Sequence, residues 1–301
     1  MPLIGFDQLF EEADAAGRAV NVAVAGGADA TVLSALRTAC DRGWIEPIVI
    51  DRPSAIRRTA EELDLVLDGF TIVDAEEPST AAVGAVRGGR ARMLMKGQIA
   101  TPTLMRAVLD PACGLRTGHV ICQAPLMEIT RSGRRFLLAD TGICVQPTLE
   151  QKRDMLGSCV ELARLLGADE PRVAILSATE AATEAMPDTL EAAELARLGV
   201  AGNLGRCQVA GPLSFDLAYA TDTADKKHVA GPVVGAADVM LFPNLLAANL
   251  TIKAIMYTAD CRFGGVLLGA ACPVVFMSRA DSVATRLCSL ALALKMTNAV
   301  S

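Results

Sequence analysis

Short apolar runs alternate with longer amphipathic stretches along most of this chain, and that alternation predicts its elements. Residues 20–25 (VNVAVA) and 45–50 are rich in β-branched side chains and too short for helices, so they read as strands. Residues 29–40 between them carry apolar side chains at helical spacing. A helix is expected before this unit, at 7–17. The rhythm continues with a helix over about 54–65, a strand at 70–73, a helix over about 79–86 and a strand at 93–95. Strands separated by helices point to a parallel sheet covered on both faces. The extended run within GLRTGHVICQAPLMEI and a second one at 135–140 are joined by residues 130–133 and read as a hairpin. This interrupts the rhythm, and a second domain is expected to begin there. The expected division assigns 1–145 plus 279–301 to a first α/β domain and 146–278 to a second. Farther on come a helix at 148–166, opened by Thr148 and Glu150 and closed by Gly167, then strands at 173–176, 207–210 and 239–242. These strands alternate with helices that begin near Pro187 and after Asn244.

The most informative stretch is GGVLLGAACPVVFMSRADS, Gly264 to Ser282. Its apolar runs at 266–268 and 274–277, separated by Pro273, read as buried strands. The polar group Ser278, Arg279, Asp281 and Ser282 follows, and then a helical pattern with Val283, Leu287, Leu290, Ala291 and Leu294 on one face. In open α/β sheets such a corner lies at the carboxyl end of a strand. There the next helix presents its unpaired N–H groups and its positive dipole end. A hydroxyl, a guanidinium and a carboxylate at that place suit an oxyanion. The plainer alternative is that Asp281 or Ser282 caps the helix and Arg279 is a solvated charge.

A second corner has related chemistry. Lys96 stands at a strand end, Gly97 would let a ligand approach the backbone, and Thr101 or Thr103 can cap a helix that carries Arg106. Arg116 and Thr117 precede the next extended run. Later strands end in Ser177 to Glu180, in Gly211 to Asp216, and in Pro243-Asn244, the last opening a helix with Asn249 and Lys253. The turn AGGADA after the first strand lacks the G-x-G-x-x-G spacing and reads as a tight turn in preference to a phosphate loop.

Composition narrows the function. A net charge of −6 and 4% aromatic residues supply neither the basic field nor the stacking platforms of nucleic-acid binding. No apolar run approaches the ~20 residues of a membrane span. The first residues, acidic early and without a basic start followed by an apolar stretch, do not read as a leader, so the cytoplasm is the expected compartment. Nine cysteines without a C-x-x-C pair are expected to be mostly reduced, buried, small hydrophobes. His119 and His228 are the only histidines, which leaves little for a His-based metal site or a Ser-His-Asp triad.

The segments LMKGQIATPTLMRAVLDPACGLRTG, PTLEQK, AILSATE with PDTLEAA, GPLSFDLA, AADVMLFPNLLAANLTIK and above all GGVLLGAACPVVFMSRADS occur in this order. Together they resemble the phosphate acetyltransferase and phosphate butyryltransferase family over essentially the whole length. The resemblance implies two α/β domains with a cleft between them, an isocitrate/isopropylmalate-dehydrogenase-like topology and a homodimer. It implies reversible transfer of a short acyl group between coenzyme A and inorganic phosphate, with coenzyme A as substrate and no cofactor, metal or nicotinamide. By that likeness Ser278 and Arg279 fall on the family's active-site Ser-Arg pair, with Asp281 the nearest acidic partner. Lys96, Arg106, Arg116, Asn244, Asn249 and Lys253 fall on positions that would line the cleft, and Thr101 and Asp216 join the substrate-binding set.

The chain also departs from that pattern. Butyryl-type sequences typically carry Ser-His-Val at Cys122-Gln123-Ala124 and Asn at Cys144. They favour Asp at Ala210, Asn at Leu217, and Glu and Gly at Leu246 and Ala248. These apolar replacements leave the acyl-chain specificity open. Phosphate needs no covalent help as a nucleophile, being largely dianionic near neutral pH if its second pKa resembles that of a phosphate monoester, about 6. The protein must supply charge neutralisation and orientation. Three other readings stand beside this one: a coenzyme A or phosphate binding homologue with weakened catalysis, a ping-pong acyltransferase using Cys113 or Cys122, and a nicotinamide dehydrogenase of related topology.

Overall fold

The computed structural model describes residues 2–299. Its elements, in chain order, begin α1 (Phe6–Ala15), β1 (Val20–Ala25), α2 (Ala30–Asp41), β2 (Ile45–Ile50), α3 (Pro53–Glu62), β3 (Thr71–Val73), α4 (Pro78–Arg87), β4 (Met93–Lys96) and α5 (Thr101–Val108). Next come β5 (Cys122–Ile129), β6 (Arg134–Ala139), α6 (Leu149–Leu165), β7 (Arg172–Leu176), α7 (Pro187–Val200) and β8 (Gln208–Leu213). The remainder are α8 (Phe215–Tyr219), α9 (Thr221–Lys227), β9 (Val239–Leu241), α10 (Leu245–Thr258), β10 (Cys261–Leu268), β11 (Val274–Val275) and α11 (Val283–Ala299).

Local chemistry sets several of these boundaries. Asp29 caps α2 by accepting from Val32 N at 3.0 Å, and proline occupies the first turn of α3, α4, α5 and α7, where its missing N–H is harmless. Thr148 opens α6 in a capping box whose reciprocal partner is Gln151, one residue beyond the expected Glu150.

The chain parts into two compact units. The flanking unit comprises Phe6–His119 and the chain from Phe263 onward. Its strand order is β3-β2-β1-β4-β11-β10. The pairs from β3 through β4 to β11 are parallel, whereas β10 and β11 run antiparallel, with Val266 opposite Val275 and Leu267 opposite Val274. Val22 to Ala25 are fully buried, as are Leu94, Met95, Val274 and Val275, so the sheet forms the centre of this core. Helix α11 packs on α1 and α2. It lies close to β10: a Cβ at Gly264 would sit 2.9 Å from the Cys288 backbone, and Gly265 N donates to Ser289 Oγ at 2.9 Å. The paired glycines of the sequence thus serve helix-on-strand contact.

The middle unit comprises Val120–Arg262 with the residues up to Gly5. Its strand order is β5-β6-β9-β7-β8. β5 and β6 form the expected antiparallel hairpin, and the remaining pairs are parallel. Arg172 and Asp238 fasten this sheet, the carboxylate accepting from the Arg172 backbone and guanidinium in three bonds of 2.9 Å.

Expectation and structure differ at identifiable places. The sheets are mixed because β10 and β11 form an antiparallel pair in addition to the hairpin. β10 begins at Cys261, before the apolar run, and β11 holds only Val274–Val275. β8 continues through Gly211 and Pro212, so the corner after it starts at Ser214. The short helices α8 and α9 had no strong periodic signal. The unit edges fall at 5/6, 119/120 and 262/263, and the sequence reading divides the chain at 145/146 and 278/279. The hairpin pairs with β9 through Leu137 and Val239, and β11 pairs with β4 through Val275 and Met95, which carries each segment into its unit.

Candidate active site

The corner at the end of β4 and β11 gathers charge. Lys96, the last residue of β4, is 2% exposed, and its Nζ donates to Met277 O at 3.1 Å and Gly97 O at 3.5 Å, both neutral acceptors. Burial pulls its pKa from 10.5 down to about 8, Arg286 and Arg279 push the same way, and Asp281 opposes them. The turn after Met277 is held by its own carboxylate. Asp281 is buried and accepts from Ser278 N at 2.6 Å, while Asp281 N donates to Ser278 O at 3.2 Å. Ser278 and Arg279 are exposed on top of this turn. Arg279 makes no hydrogen bond or ion pair among the described residues. Ser282 caps α11 by accepting from Thr285 N at 3.2 Å, so the capping role falls to Ser282 and leaves Asp281 to the turn.

Sequence reasoning missed one cation here. Arg286 lies in α11 on the buried side, completely shielded from solvent. Its Nε donates to Thr31 Oγ1 at 3.1 Å and its Nη2 donates to Ser278 O at 3.5 Å, while Nη1 is buried without a partner among the described residues. Burial lowers its pKa, against the attraction of Asp29 and Asp281. The signal was present: position 286 is three residues past Val283, so an arginine interrupts an otherwise apolar helical face.

The other predicted residues of the flanking unit scatter more widely. A Cβ at Gly97 would lie 2.0 Å from Gly26 O, and Gln98 N donates to that same oxygen at 2.7 Å. Close packing of two backbones therefore accounts for this glycine, in place of the expected ligand approach. Thr101 is the first residue of α5 and caps nothing, since the cap position is Ala100, which has no side-chain cap. Arg106 opens onto a cavity of about 560 Å³ between α4 and α5, shared with Ser79, Arg87, Thr103 and Cys113. Arg116 has an exposed side chain, and its backbone bridges to Ala270 in the loop that precedes β11.

In the middle unit, Asn244 caps α10 by accepting from Ala247 N at 3.0 Å, and Asn249 Nδ2 donates to Thr141 O at 3.3 Å. Lys253 is half-buried one helical turn past Asn249, on the same face. The loop that Asn249 touches is organised by Asp140, 4% exposed, whose carboxylate accepts from the backbone N–H groups of Gln123, Gly142, Ile143 and Cys144 at 2.6–3.2 Å. Asp216 belongs to a separate cluster. It is ion-paired to Lys227 at 3.1 Å, and Lys227 also binds Glu180 and Ser214.

The thiols are poorly placed for nucleophilic work. Cys113 Sγ donates to Asp110 Oδ1 at 3.1 Å, which raises its pKa, and the buried Cys122 is pushed well up by its hydrogen bond with Cys159 and by burial. Cys144 is pushed up to about 12 by burial and by Asp140. Among the described residues no three His, Cys, Asp or Glu side chains are grouped to hold a metal ion, and no helix is long and apolar enough to cross a membrane.

Comparison with known proteins fits this chemistry. The family model described as phosphate acetyl/butaryl transferase matches residues 75–294. A phosphate acetyltransferase of Thermotoga maritima is 38% identical over 92% of this chain and 95% of its own length. A phosphate butyryltransferase of Clostridium acetobutylicum is 37% identical over 90% and 91%. The crystal structure of a branched-chain phosphotransacylase from Enterococcus faecalis superposes with a TM-score of 0.81 at 27% identity, covering 92% of this chain and 99% of that one. On these matches, extending over nearly the whole sequence, the chain belongs to the phosphate acetyl/butaryl transferase family.

Proposed function

We propose that the protein is an acyltransferase moving a short acyl group reversibly between coenzyme A and inorganic phosphate, by direct attack. The observation that carries this reading is the corner of Lys96, Ser278, Arg279 and Asp281, where cations outnumber their partners in a family whose named relatives handle phosphate. A phosphate oxygen forms its bond to the thioester carbonyl carbon, the carbon–sulfur bond breaks, and the phosphate's proton ends on sulfur, giving acyl phosphate and coenzyme A. Arg279, free among the described residues, clamps phosphate in the bidentate geometry that suits guanidinium. Ser278 donates to the developing oxyanion or to sulfur. Asp281, buried beneath the Ser278-Arg279 turn, relays the proton in this reading. Arg106, Arg116, Thr101, Asp216, Asn244, Asn249 and Lys253 remain the substrate-binding set of this reading. Of these, Asp216 is the weakest member because Lys227 already neutralises it.

The same reading keeps an isocitrate/isopropylmalate-dehydrogenase-like topology with a substrate cleft, coenzyme A as substrate in place of any cofactor, a cytoplasmic setting and a homodimer. The dimer is supported by α10, which leaves Leu246, Leu250 and Tyr257 at 69%, 62% and 76% exposure along one face. Leu250→Glu would shift the sedimentation coefficient from dimer to monomer if that face is the contact. The acyl reading is tested by release of coenzyme A thiol from acetyl-, propionyl-, butyryl- and isobutyryl-CoA with phosphate present. A labelled acyl group trapped on the protein would instead favour the cysteine-dependent route.

A further inference from the structure

We propose that Arg286 is a second anion-binding arginine of this corner, its unpartnered Nη1 donating to the tetrahedral oxyanion that Lys96 and Arg279 also face. The inference rests on the phosphate-transfer reading and adds to it a residue that the sequence motif does not contain.

A guanidinium taken wholly out of water is ordinarily matched by a carboxylate and has its donors satisfied, because an isolated buried ion loses its hydration without return. Arg286 is completely buried and has neither. Its nearest partners are a hydroxyl, Thr31 Oγ1, and a carbonyl, Ser278 O, and among the described residues no carboxylate lies within ion-pair distance of it. One donor, Nη1, has no partner among the described residues. Lys96 repeats the pattern, nearly fully buried with its ammonium on two main-chain carbonyls. Thr31 is itself occupied as a donor to Asp29 Oδ1 at 2.7 Å, and Asp281 is engaged with Ser278 N. The electrostatic neighbours of these two groups are Arg279, Asp281 and Asp29. Three cations therefore face two carboxylates that are both hydrogen-bonded elsewhere. An anion with several acceptor oxygens would satisfy Nη1 and restore the balance, and inorganic phosphate is the substrate of that description.

A purely structural brace between α2 and the 278–281 turn is the alternative, and the test separates the two. Thermal unfolding of the whole protein is followed with rising inorganic phosphate for the wild type, Arg286→Gln and Arg286→Lys, and the KM values for phosphate and for acyl-CoA are measured in parallel. The expected result is a phosphate-dependent rise in Tm for the wild type that Arg286→Gln loses. Its KM for phosphate should rise about tenfold or more, as for loss of a charge-assisted contact, with KM for acyl-CoA changed less than about twofold. Arg286→Lys should recover part of both effects. A brace would lower Tm of Arg286→Gln in the absence of phosphate and leave both the phosphate-dependent rise and the phosphate KM intact, which overturns the proposal. Should Arg286→Gln fail to fold, an unchanged phosphate KM in Arg286→Lys overturns it equally. A wild type that responds to phosphate in Tm but releases no coenzyme A would refute the transfer reading and leave the anion site standing. A wild type without any phosphate response refutes both.

Discussion

Raising the pH from 7 to 9 should weaken phosphate binding about tenfold, through Lys96 alone. Its ammonium is 2% exposed, bound to two neutral carbonyls and crowded by Arg286 and Arg279, and its pKa falls from 10.5 to about 8. At about 1.36 kcal/mol per pKa unit the charged form is disfavoured by on the order of 3 kcal/mol relative to water. The charged fraction then drops from about nine tenths at pH 7 to about one tenth at pH 9, and apparent affinity scales with that fraction. The dianionic fraction of phosphate only rises across this window, which by itself would favour binding to a cationic corner, so a fall in affinity belongs to the protein. The assay is thiol release from acyl-CoA at subsaturating phosphate, in the direction where free thiol is a product. The inflection of kcat/KM for phosphate then reports the free enzyme. Stability should move oppositely. Between about pH 8 and 10.5 the unfolded chain binds the proton that folded Lys96 has released, so this residue's contribution to stability rises with pH while phosphate affinity falls. Lys96→Arg, charged throughout, should abolish the inflection. A kcat/KM for phosphate that is flat from pH 7 to 9.5 in the wild type, or an unmoved inflection in Lys96→Arg, would refute the reasoning.

Further outcomes follow from the same geometry. Arg279→Ala should lower kcat/KM for phosphate by about 10²–10³ and change unfolding free energy by less than about 0.5 kcal/mol, because the side chain is exposed and unbonded; equal losses in activity and stability would contradict its role. Gly97→Ala should destabilise by about 3 kcal/mol, measured by urea unfolding, since its Cβ meets Gly26 O at 2.0 Å; wild-type stability with a raised KM would instead restore the ligand-approach reading. Asp238→Ala, which strands Arg172, should lower stability by about 3 kcal/mol with kcat/KM retained in the folded fraction, as equilibrium unfolding and assay together would show.

Much of the architecture was legible because strand and helix periods differ sharply in this chain. β1 and β2 coincide with their apolar runs to the residue, and α2, α4 and α6 start at or next to their expected positions, where Asp29, Pro78 and Thr148 carry local signals. Legibility failed where pairing, a non-local property, decided the outcome. The antiparallel direction of β11 against β10 and the membership of the 120–145 hairpin follow from partners far along the chain. Gly97 is ambiguous in sequence because a ligand and a neighbouring backbone both exclude a Cβ. In the candidate site, Lys96, Ser278, Arg279 and Asp281 were readable as strand-end polar groups and the structure gathers them. Arg286 was passed over because an arginine on a helix is usually solvated, and only its burial shows otherwise.

The central claim is that the cationic corner holds phosphate for direct attack on a thioester. It is met most directly by mixing the protein with a labelled acyl-CoA in the presence and absence of phosphate and following both thiol release and label on the protein. The account predicts release that depends on phosphate, saturates with it, and leaves no acylated protein. Release without phosphate accompanied by a stoichiometric acyl-protein would contradict it.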